Sequence, residues 1–140
     1  MISSCNTTTT NKIIRVAENK RIFRIINDSS FQINKVKVDD CYIKNVLRCD
    51  YLFEIIEKMD VSIVFYVELK GSDINHAIEQ LEATIQYCLN EHNRVNKKEC
   101  YIVASKFPSA GTSSQVLRKK FFKKNKIQLF IGTKKTDVTI

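Results

Sequence analysis

The sequence contains few of the residues that break a chain or set it in unusual conformations. Its 140 residues include one proline, three glycines and no tryptophan, which excludes collagen-like and low-complexity compositions. No apolar run reaches the length of about 20 residues that spans a bilayer, and residues 1–11 lack the apolar core of a secretory signal. With 44% hydrophobic residues, residues 1–140 are predicted to form one cytoplasmic domain, with residues 1–11 flexible.

Cysteine is present without the spacing that a cross-linked framework or a zinc site requires. The number of cysteines is odd, and no two of them form a C-x-x-C pair. The thiols are therefore predicted to be reduced. The five positions are Cys5, Cys41, Cys49, Cys88 and Cys100.

Positive charge is concentrated toward the C-terminus. Residues 97–140 carry eleven basic and two acidic side chains, a net charge of +9, whereas residues 1–96 carry twelve basic and thirteen acidic ones, a net charge of −1. This asymmetry predicts either a basic surface that binds nucleic acid through phosphate contacts or a solvated lysine-rich face. Five candidates for nucleic-acid binding fall in one basic segment: Arg118, Lys119, Lys120, Lys123 and Lys124.

The first part of the chain predicts a short helix and several strands. Residues 11–20 have apolar side chains at positions 13, 14, 16 and 17, which predicts a helix. Residues 21–28 and 31–40 are rich in Ile, Val and Phe and flank a polar Asp-Ser-Ser cluster, which predicts a β-hairpin. A further strand is predicted at residues 46–55.

The middle of the chain gives the clearest patterns. Residues 61–70 are apolar at both odd and even positions, which predicts a strand covered on both faces. From Ile74 to Leu89 the apolar residues follow steps of three and four, which predicts an amphipathic helix. The fold class is therefore predicted to be α/β (α+β), a mixed sheet flanked by helices.

The last part of the chain continues the alternation of strands and helices. A strand is predicted at residues 100–107, and a basic helix follows at residues 114–126. The predicted buried side of that helix consists of Val116, Leu117 and Phe121. A strand at residues 127–132 completes the predicted elements.

Two carboxylates interrupt apolar strand sequence. Asp50 lies in VLRCDYLFEI and Glu68 in FYVELKG. Removing an unpaired carboxylate from water is costly, so buried acids are normally paired, protonated or bound to a metal. Glu68 and Lys70 are two residues apart, so their side chains project from one face of a strand. If Asp50 faces the same way on a neighbouring strand, the three groups converge, and their oxygen ligands suit magnesium.

These residues resemble the motif of the PD-(D/E)XK, or restriction-endonuclease-like, nucleases. In that family an aspartate in one strand precedes an acid, any residue and a lysine at the end of the next strand, and a helix follows. Asp50, Glu68 and Lys70 look like these three residues. Some branches add a glutamine on the following helix, and Gln80 looks like that residue. Cys49 stands where the family often has a proline.

The resemblance covers about residues 36–105 and implies a core in the order α-β-β-β-α-β-α-β. It also implies metal-assisted hydrolysis of a phosphodiester. Asp50, Glu68 and the backbone carbonyl of Leu69 would hold Mg²⁺, for which Mn²⁺ can substitute, and the metal would lower the pKa of an attacking water. Lys70 would orient or deprotonate that water, and Gln80 would position Lys70 or contact nucleic acid.

Two further residues are candidates for accessory roles in the predicted site. Many members of the family contribute an acid from the first helix, and Glu18 is the match. Ser105 could contact a phosphate, although a polar strand end explains it as well. His76 and His92 have no nucleophile or metal spacing and are predicted to lie at the surface.

Ordinary structural roles explain the same residues in other ways. Glu68 and Lys70 could form an exposed ion pair at a strand end, which contributes little to stability. Asp50 could be satisfied by Arg48 or by a backbone amide. Gln80 could be a boundary residue of its helix.

Two functional classes follow. The first is a Mg²⁺-dependent endonuclease that acts on DNA in restriction, phage defence or junction resolution, and works as a homodimer because so short a chain has no separate specificity domain. The second is a nuclease-like protein that binds or scaffolds without turnover, since function belongs to sites rather than folds. Metal-dependent cleavage of nucleic acid distinguishes them.

Overall fold

The computed structural model describes residues 3–69, 73–106 and 113–140, which form nine strands, two helices and a 3₁₀ turn at Ser3–Cys5. The class is mixed α/β, as predicted. The elements are β1 Asn6–Thr9, β2 Ile13–Glu18, β3 Arg21–Ile26, β4 Gln32–Lys37, β5 Tyr51–Glu57, β6 Asp60–Glu68, α1 Ile74–Tyr87, β7 Lys97–Ala104, α2 Ser114–Asn125, β8 Gln128–Thr133 and β9 Lys135–Thr139.

Six strands form the main sheet, in the order β1-β4-β5-β6-β7-β8. In this sheet β1, β4, β5 and β6 pair antiparallel with their neighbours, whereas β6, β7 and β8 run parallel to one another. Parallel neighbours require a crossover connection, and α1 and α2 lie in the two crossovers. The carboxyl ends of β6, β7 and β8 therefore lie at one edge of the main sheet, together with the start of β5.

Three strands form a small sheet in the order β2-β3-β9. β2 and β3 pair antiparallel through a turn at Asn19 and Lys20, whose φ angles are 48° and 68°. β9, from the end of the chain, pairs parallel with β3. The small sheet thus joins segments that are far apart in sequence.

Both faces of the main sheet are covered. Val64 of β6 belongs to the core beneath the helices, together with Leu81 of α1. Phe65 belongs to the core beneath the small sheet, where its ring meets that of Phe23 edge to face at 6.4 Å between centroids. Even positions of β6 therefore face the helices and odd positions face the small sheet, as predicted for a strand covered on both faces.

The helix predicted at residues 11–20 is wrong, because this segment is strand β2. Ile14 and Val16 are buried, whereas Ile13 and Arg15 are exposed, which is the period of a strand. Pairing with β3 along its whole length, together with burial of the two apolar side chains against the main sheet, determines the conformation.

The hairpin predicted across residues 21–40 is also wrong, because its two strands belong to different sheets. β3 pairs with β2 and β9, whereas β4 pairs with β1 and β5. The side chain of Asn27 holds the connection: it donates to the carbonyls of Asn11 (3.2 Å) and Phe31 (2.8 Å) and accepts from the Phe31 amide (2.9 Å). The chain therefore crosses from one sheet to the other at this point.

The N-terminal segment is ordered where it is described. Residues 6–9 form β1 and pair with β4, so the predicted flexibility of residues 1–11 is wrong there. Cys5 and Cys41 form a disulfide bond, which also contradicts the prediction that all thiols are reduced. The two cysteines are 36 positions apart in sequence and gave no pairing signal, because contact depends on the packing of the turn before β1 against the segment after β4.

The remaining elements match the predictions with shifted ends. α1, α2, β6, β7 and β8 lie where the sequence indicates, whereas the strand predicted at residues 46–55 begins at Tyr51. β9 was not predicted. Pro108 and the loop around it lie outside the described residues.

Candidate functional site

Asp50 and Glu68 lie at the edge of the main sheet where β6 ends. Asp50 directly precedes β5, and Glu68 is the last residue of β6. The neighbouring residues Tyr51 and Val67 are paired in register, and even positions on both strands face the helices. Both carboxylates therefore lie on the helix-covered face, and both are buried, with residue exposures of 3% for Asp50 and 0% for Glu68.

Hydrogen bonds fix the carboxylate of Asp50 at the end of β6. Its Oδ2 accepts the backbone N–H of Leu69 at 2.8 Å, and its own N–H donates to the carbonyl of Val67 at 3.2 Å. Of the two structural partners that the sequence suggests for Asp50, Arg48 and a backbone amide, the structure shows the backbone amide. Arg48 instead bonds Asp39 through Nε at 2.8 Å.

The buried thiol of Cys49 reports the local charge. Burial raises the pKa of Cys49, and the negative charges of Glu68 and Asp50 raise it further. Negative charge nearby disfavours a thiolate. Both carboxylates therefore lie close enough to Cys49 to act on its thiol.

Helix α1 holds the segment that leads into Asp50. Gln80 donates from Nε2 to the Arg48 carbonyl at 3.0 Å, and Thr84 Oγ1 accepts from the Cys49 amide at 2.8 Å. The Oε1 atom of Gln80 is buried and accepts no hydrogen bond from the described residues. Gln80 is therefore placed to position Asp50 through the backbone.

The carbonyl of Leu69, which follows Glu68, is bonded by an arginine from the small sheet. Arg21 donates from Nε to this carbonyl at 3.0 Å and from Nη1 to Ser105 Oγ at 2.9 Å. Arg21 itself is 8% exposed. Sequence reasoning did not identify it, because its acceptors are 48 and 84 residues away in the chain.

The other predicted site residues lie as follows. Glu18 is the exposed last residue of β2 and pairs in register with Arg21; it comes from a strand rather than from a first helix. Ser105 follows β7 and contacts Arg21. Lys70 lies outside the described residues.

The donors at this edge fit a magnesium ion in part. Two carboxylates on one face, at adjacent strand ends, are the hard oxygen ligands that Mg²⁺ takes. The Leu69 carbonyl fits less well, because a guanidinium already donates to it and two cations at one oxygen repel each other. Asp50 and Glu68 are therefore the residues that could hold the metal.

A second group of titratable side chains lies beneath α1, away from this edge. His92 bonds Glu54 Oε2 through Nε2 at 2.7 Å and the Tyr66 hydroxyl through Nδ1 at 2.7 Å. Asn34 donates to Glu54 Oε1 at 3.1 Å. His92 is 1% exposed, so its predicted surface location is wrong, whereas His76 is exposed as predicted.

This group has the composition of a metal site as well as that of a hydrogen-bonded network. Ligand atoms of Glu54, Glu91 and His92 lie within 4.8 Å of one another and could hold a metal ion. Both ring nitrogens of His92 are already bonded, however, and Tyr42 donates to Glu91. The signal in the sequence was Glu54 within the apolar YLFEII, the same kind of interruption that marked Asp50.

The basic helix α2 presents its cations to solvent. Lys119, Lys120 and Lys123 are exposed, as are the other two candidates. Lys124 bonds Glu82 at 3.2 Å, and Arg118 donates to the Leu129 carbonyl at 2.8 Å.

The predicted apolar side of α2 is partly wrong. Phe121 is buried, but Val116 is 53% exposed. The helix therefore contacts the sheet along a narrow stripe, and most of its surface is free for charged side chains.

Comparisons of the chain with known protein families, curated proteins and solved structures find no match. Neither helix in the described ranges is long and apolar enough to cross a membrane.

Proposed function

We propose that this protein is a metal-dependent nuclease that hydrolyses phosphodiester bonds, with DNA as its substrate. The observation that carries the proposal is the pair of buried carboxylates, Asp50 and Glu68, on one face at adjacent strand ends. Carboxylate oxygens are the ligands that Mg²⁺ prefers. A divalent metal that both carboxylates bind would supply the chemistry of phosphodiester hydrolysis.

The topology supports the proposal. The elements β4-β5-β6-α1-β7-α2-β8 follow the β-β-β-α-β-α-β part of the restriction-endonuclease-like core that the sequence resemblance implies. The first helix of that core has no counterpart in the described residues. Active sites of sheets with parallel strands are commonly built at the carboxyl ends of those strands, and Glu68 and Ser105 lie at such ends.

The side chains would divide the work as follows. Mg²⁺ bound by Asp50 and Glu68 would polarise the phosphate and lower the pKa of a water molecule. The Leu69 amide holds the Asp50 carboxylate in one orientation, and Gln80 holds the backbone before it. Lys70 is proposed to orient or deprotonate the water.

The exposed face of α2 is proposed to bind the nucleic-acid backbone. Lys119, Lys120 and Lys123 make no ion pair with a described residue, so each is free to neutralise a phosphate. Lys124 would exchange Glu82 for phosphate, and Arg118 would keep its bond to the backbone of β8.

One observation favours the alternative of binding without turnover. Arg21 donates to the Leu69 carbonyl, which removes one of the metal ligands that the resemblance implies. A site with fewer ligands binds metal more weakly. A nuclease-like scaffold therefore remains the second candidate, and it shares the nucleic-acid surface with the first.

A homodimer and a cytoplasmic location stay predictions. Two copies would allow cleavage of two strands. The Cys5–Cys41 disulfide weighs against a reducing compartment, because disulfides are rare in the cytosol.

The proposal is tested by incubating the purified protein with single-stranded, duplex and branched DNA and with RNA. We expect cleavage in Mg²⁺ or Mn²⁺, none after chelation, and recovery when metal is restored, because the metal activates the water that attacks the phosphate. Products are resolved on denaturing gels. Cleavage that is unchanged by chelation, or no cleavage of any substrate with metal present, would contradict the proposal.

A further inference from the structure

A basic cleft opens at the carboxyl ends of the parallel strands, on the side of the main sheet that carries the small sheet. It has a volume of about 410 Å³ and is lined by Asn19, Lys20, Arg21, Ser105 and Lys134 among the described residues. Three of these are cations, the other two can donate hydrogen bonds through an amide or a hydroxyl, and none is an acid. The lining therefore suits an anion.

Backbone hydrogen bonds from both sheets fix the walls of the cleft. Lys134, between β8 and β9, donates its N–H to the Ala104 carbonyl at 2.8 Å and accepts from the Ile22 N–H at 2.8 Å. Lys20 lies in the β2–β3 turn, next to Arg21. The two lysines thus extend from short turns whose positions are set by the sheets, which favours binding because little backbone must be ordered.

Arg21 is the buried donor at the base of the cleft. Its Nε and Nη1 atoms are used by Leu69 and Ser105, and no described residue accepts from Nη2. Glu18 pairs in register with Arg21 in the β2–β3 ladder. A phosphate in the cleft would accept hydrogen bonds from the N–H groups of the guanidinium that the protein leaves available.

The chemistry of the donors identifies the anion. A guanidinium and two flexible ammonium groups match the tetrahedral oxygens of a phosphate, with Arg21 bonding through Nη2 and the lysines acting as point charges. The volume is in the range of small-ligand pockets. Arg21 also bonds the carbonyl of Leu69, the residue that follows Glu68 in the chain.

We propose that the basic cleft binds one phosphate group of a nucleic-acid strand and that Lys20, Arg21 and Lys134 hold it. This inference rests on the proposed function for the identity of the strand. It adds a binding site built largely from the small sheet, most of which lies outside the residues that the resemblance covers.

The test compares two variants that lose the same charge. The cleft variant is Lys20→Gln with Lys134→Gln. The control is Lys58→Gln with Lys97→Gln, whose lysines are exposed at the other end of the main sheet. Arg21 is left unchanged because its bonds connect the sheets. Thermal unfolding checks that both variants remain folded.

Binding is measured without divalent metal, so that no cleavage occurs. Fluorescence anisotropy follows a labelled single-stranded oligonucleotide across a salt series, and a deoxynucleoside 5′-monophosphate and inorganic phosphate serve as competitors. We expect the cleft variant to bind the oligonucleotide about tenfold more weakly and its slope of log K against log salt to fall by about 0.7 for one lost phosphate contact. The control should stay within about twofold of wild type.

Two other outcomes would overturn the inference. Equal losses in the two variants would show an effect of net charge alone. Unchanged oligonucleotide binding in the cleft variant, with lost competition by the monophosphate or by inorganic phosphate, would show that the cleft takes a free phosphate compound. A binding defect specific to the cleft variant in a protein that cuts no substrate would support the cleft while contradicting the nuclease proposal, so the two failures are distinguishable.

Discussion

Replacing Glu68 by glutamine is expected to lower the rate of metal-dependent cleavage by at least about a thousandfold, equivalent to about 4 kcal/mol of transition-state stabilisation. The substitution keeps the shape of the side chain and removes the negative charge that a divalent cation requires. Asp50→Asn is expected to act in the same way. The measurement is the single-turnover rate on the best DNA substrate in Mg²⁺.

The matched control is Glu57→Gln, an exposed acid at the far end of β5. It removes one carboxylate from the same sheet and is expected to leave the rate unchanged. Asparagine at position 50 can still accept the Leu69 N–H, so Asp50→Asn should remain folded. If Glu68→Gln and Asp50→Asn cut as fast as the control, these carboxylates are not the metal ligands.

Replacing His92 by leucine is expected to lower the free energy of unfolding by about 3 kcal/mol, because it leaves a buried carboxyl group and a buried hydroxyl without their hydrogen-bond partner. The substitution leaves Glu54 buried without its 2.7 Å bond and also deprives the Tyr66 hydroxyl of its partner. Urea denaturation at neutral pH measures the change. His76→Leu, at an exposed position, is the control and should change stability by less than about 0.5 kcal/mol. A loss no larger than that of the control would mean that the network does not stabilise the fold.

The same hydrogen-bonded network predicts how the free energy of unfolding depends on the ionisation of Glu54. Burial raises the pKa of Glu54, but hydrogen bonds from His92 and Asn34 outweigh burial and hold the pKa below its ordinary value of 4.5. The folded protein therefore binds this proton less readily than the unfolded chain does, so the ionised carboxylate stabilises the fold above pH 4.5 and that stability is lost as the pH falls through the folded pKa.

The comparison is between wild type and Glu54→Gln, which cannot titrate at this position. Their difference in unfolding free energy should be largest near neutral pH and should shrink below the ordinary pKa of Glu54. His92 and Asn34 still surround the position in the variant, and Glu54 is the only residue that differs between the two proteins. A difference that does not vary with pH would show that Glu54 does not titrate in this way.

Local patterns predicted the elements whose burial repeats with a regular period. α1 could be predicted because Ile74, Ala77 and Leu81 recur on one side of the helix and are buried there. β6 could be predicted because a strand covered on both faces needs apolar residues at every position. In β2 the apolar residues 13, 14, 16 and 17 fit either period, and only pairing with β3 determines which one applies.

The site was predictable to the extent that its residues interrupt such patterns. Asp50 and Glu68 stand out because carboxylates are rare in apolar strands. Arg21 follows the polar segment ENK and His92 lies in the polar segment NEHNR, so nothing marks either as buried. Their roles depend on Leu69, Ser105 and Glu54, which are distant in the chain, and a single sequence holds no record of those contacts.

The order in which the strands pair has a consequence for folding. β9 docks beside β3, and Ile140 exchanges backbone hydrogen bonds with Ile26 and Asp28, so the small sheet closes a loop of more than a hundred residues. Such high contact order makes closure slow. During synthesis, Lys20 and Arg21 emerge early but meet Lys134 only after residues 135–139 have been translated. The basic cleft is therefore assembled last, and removing those few residues should leave a chain with its carboxylates in place but without a formed cleft.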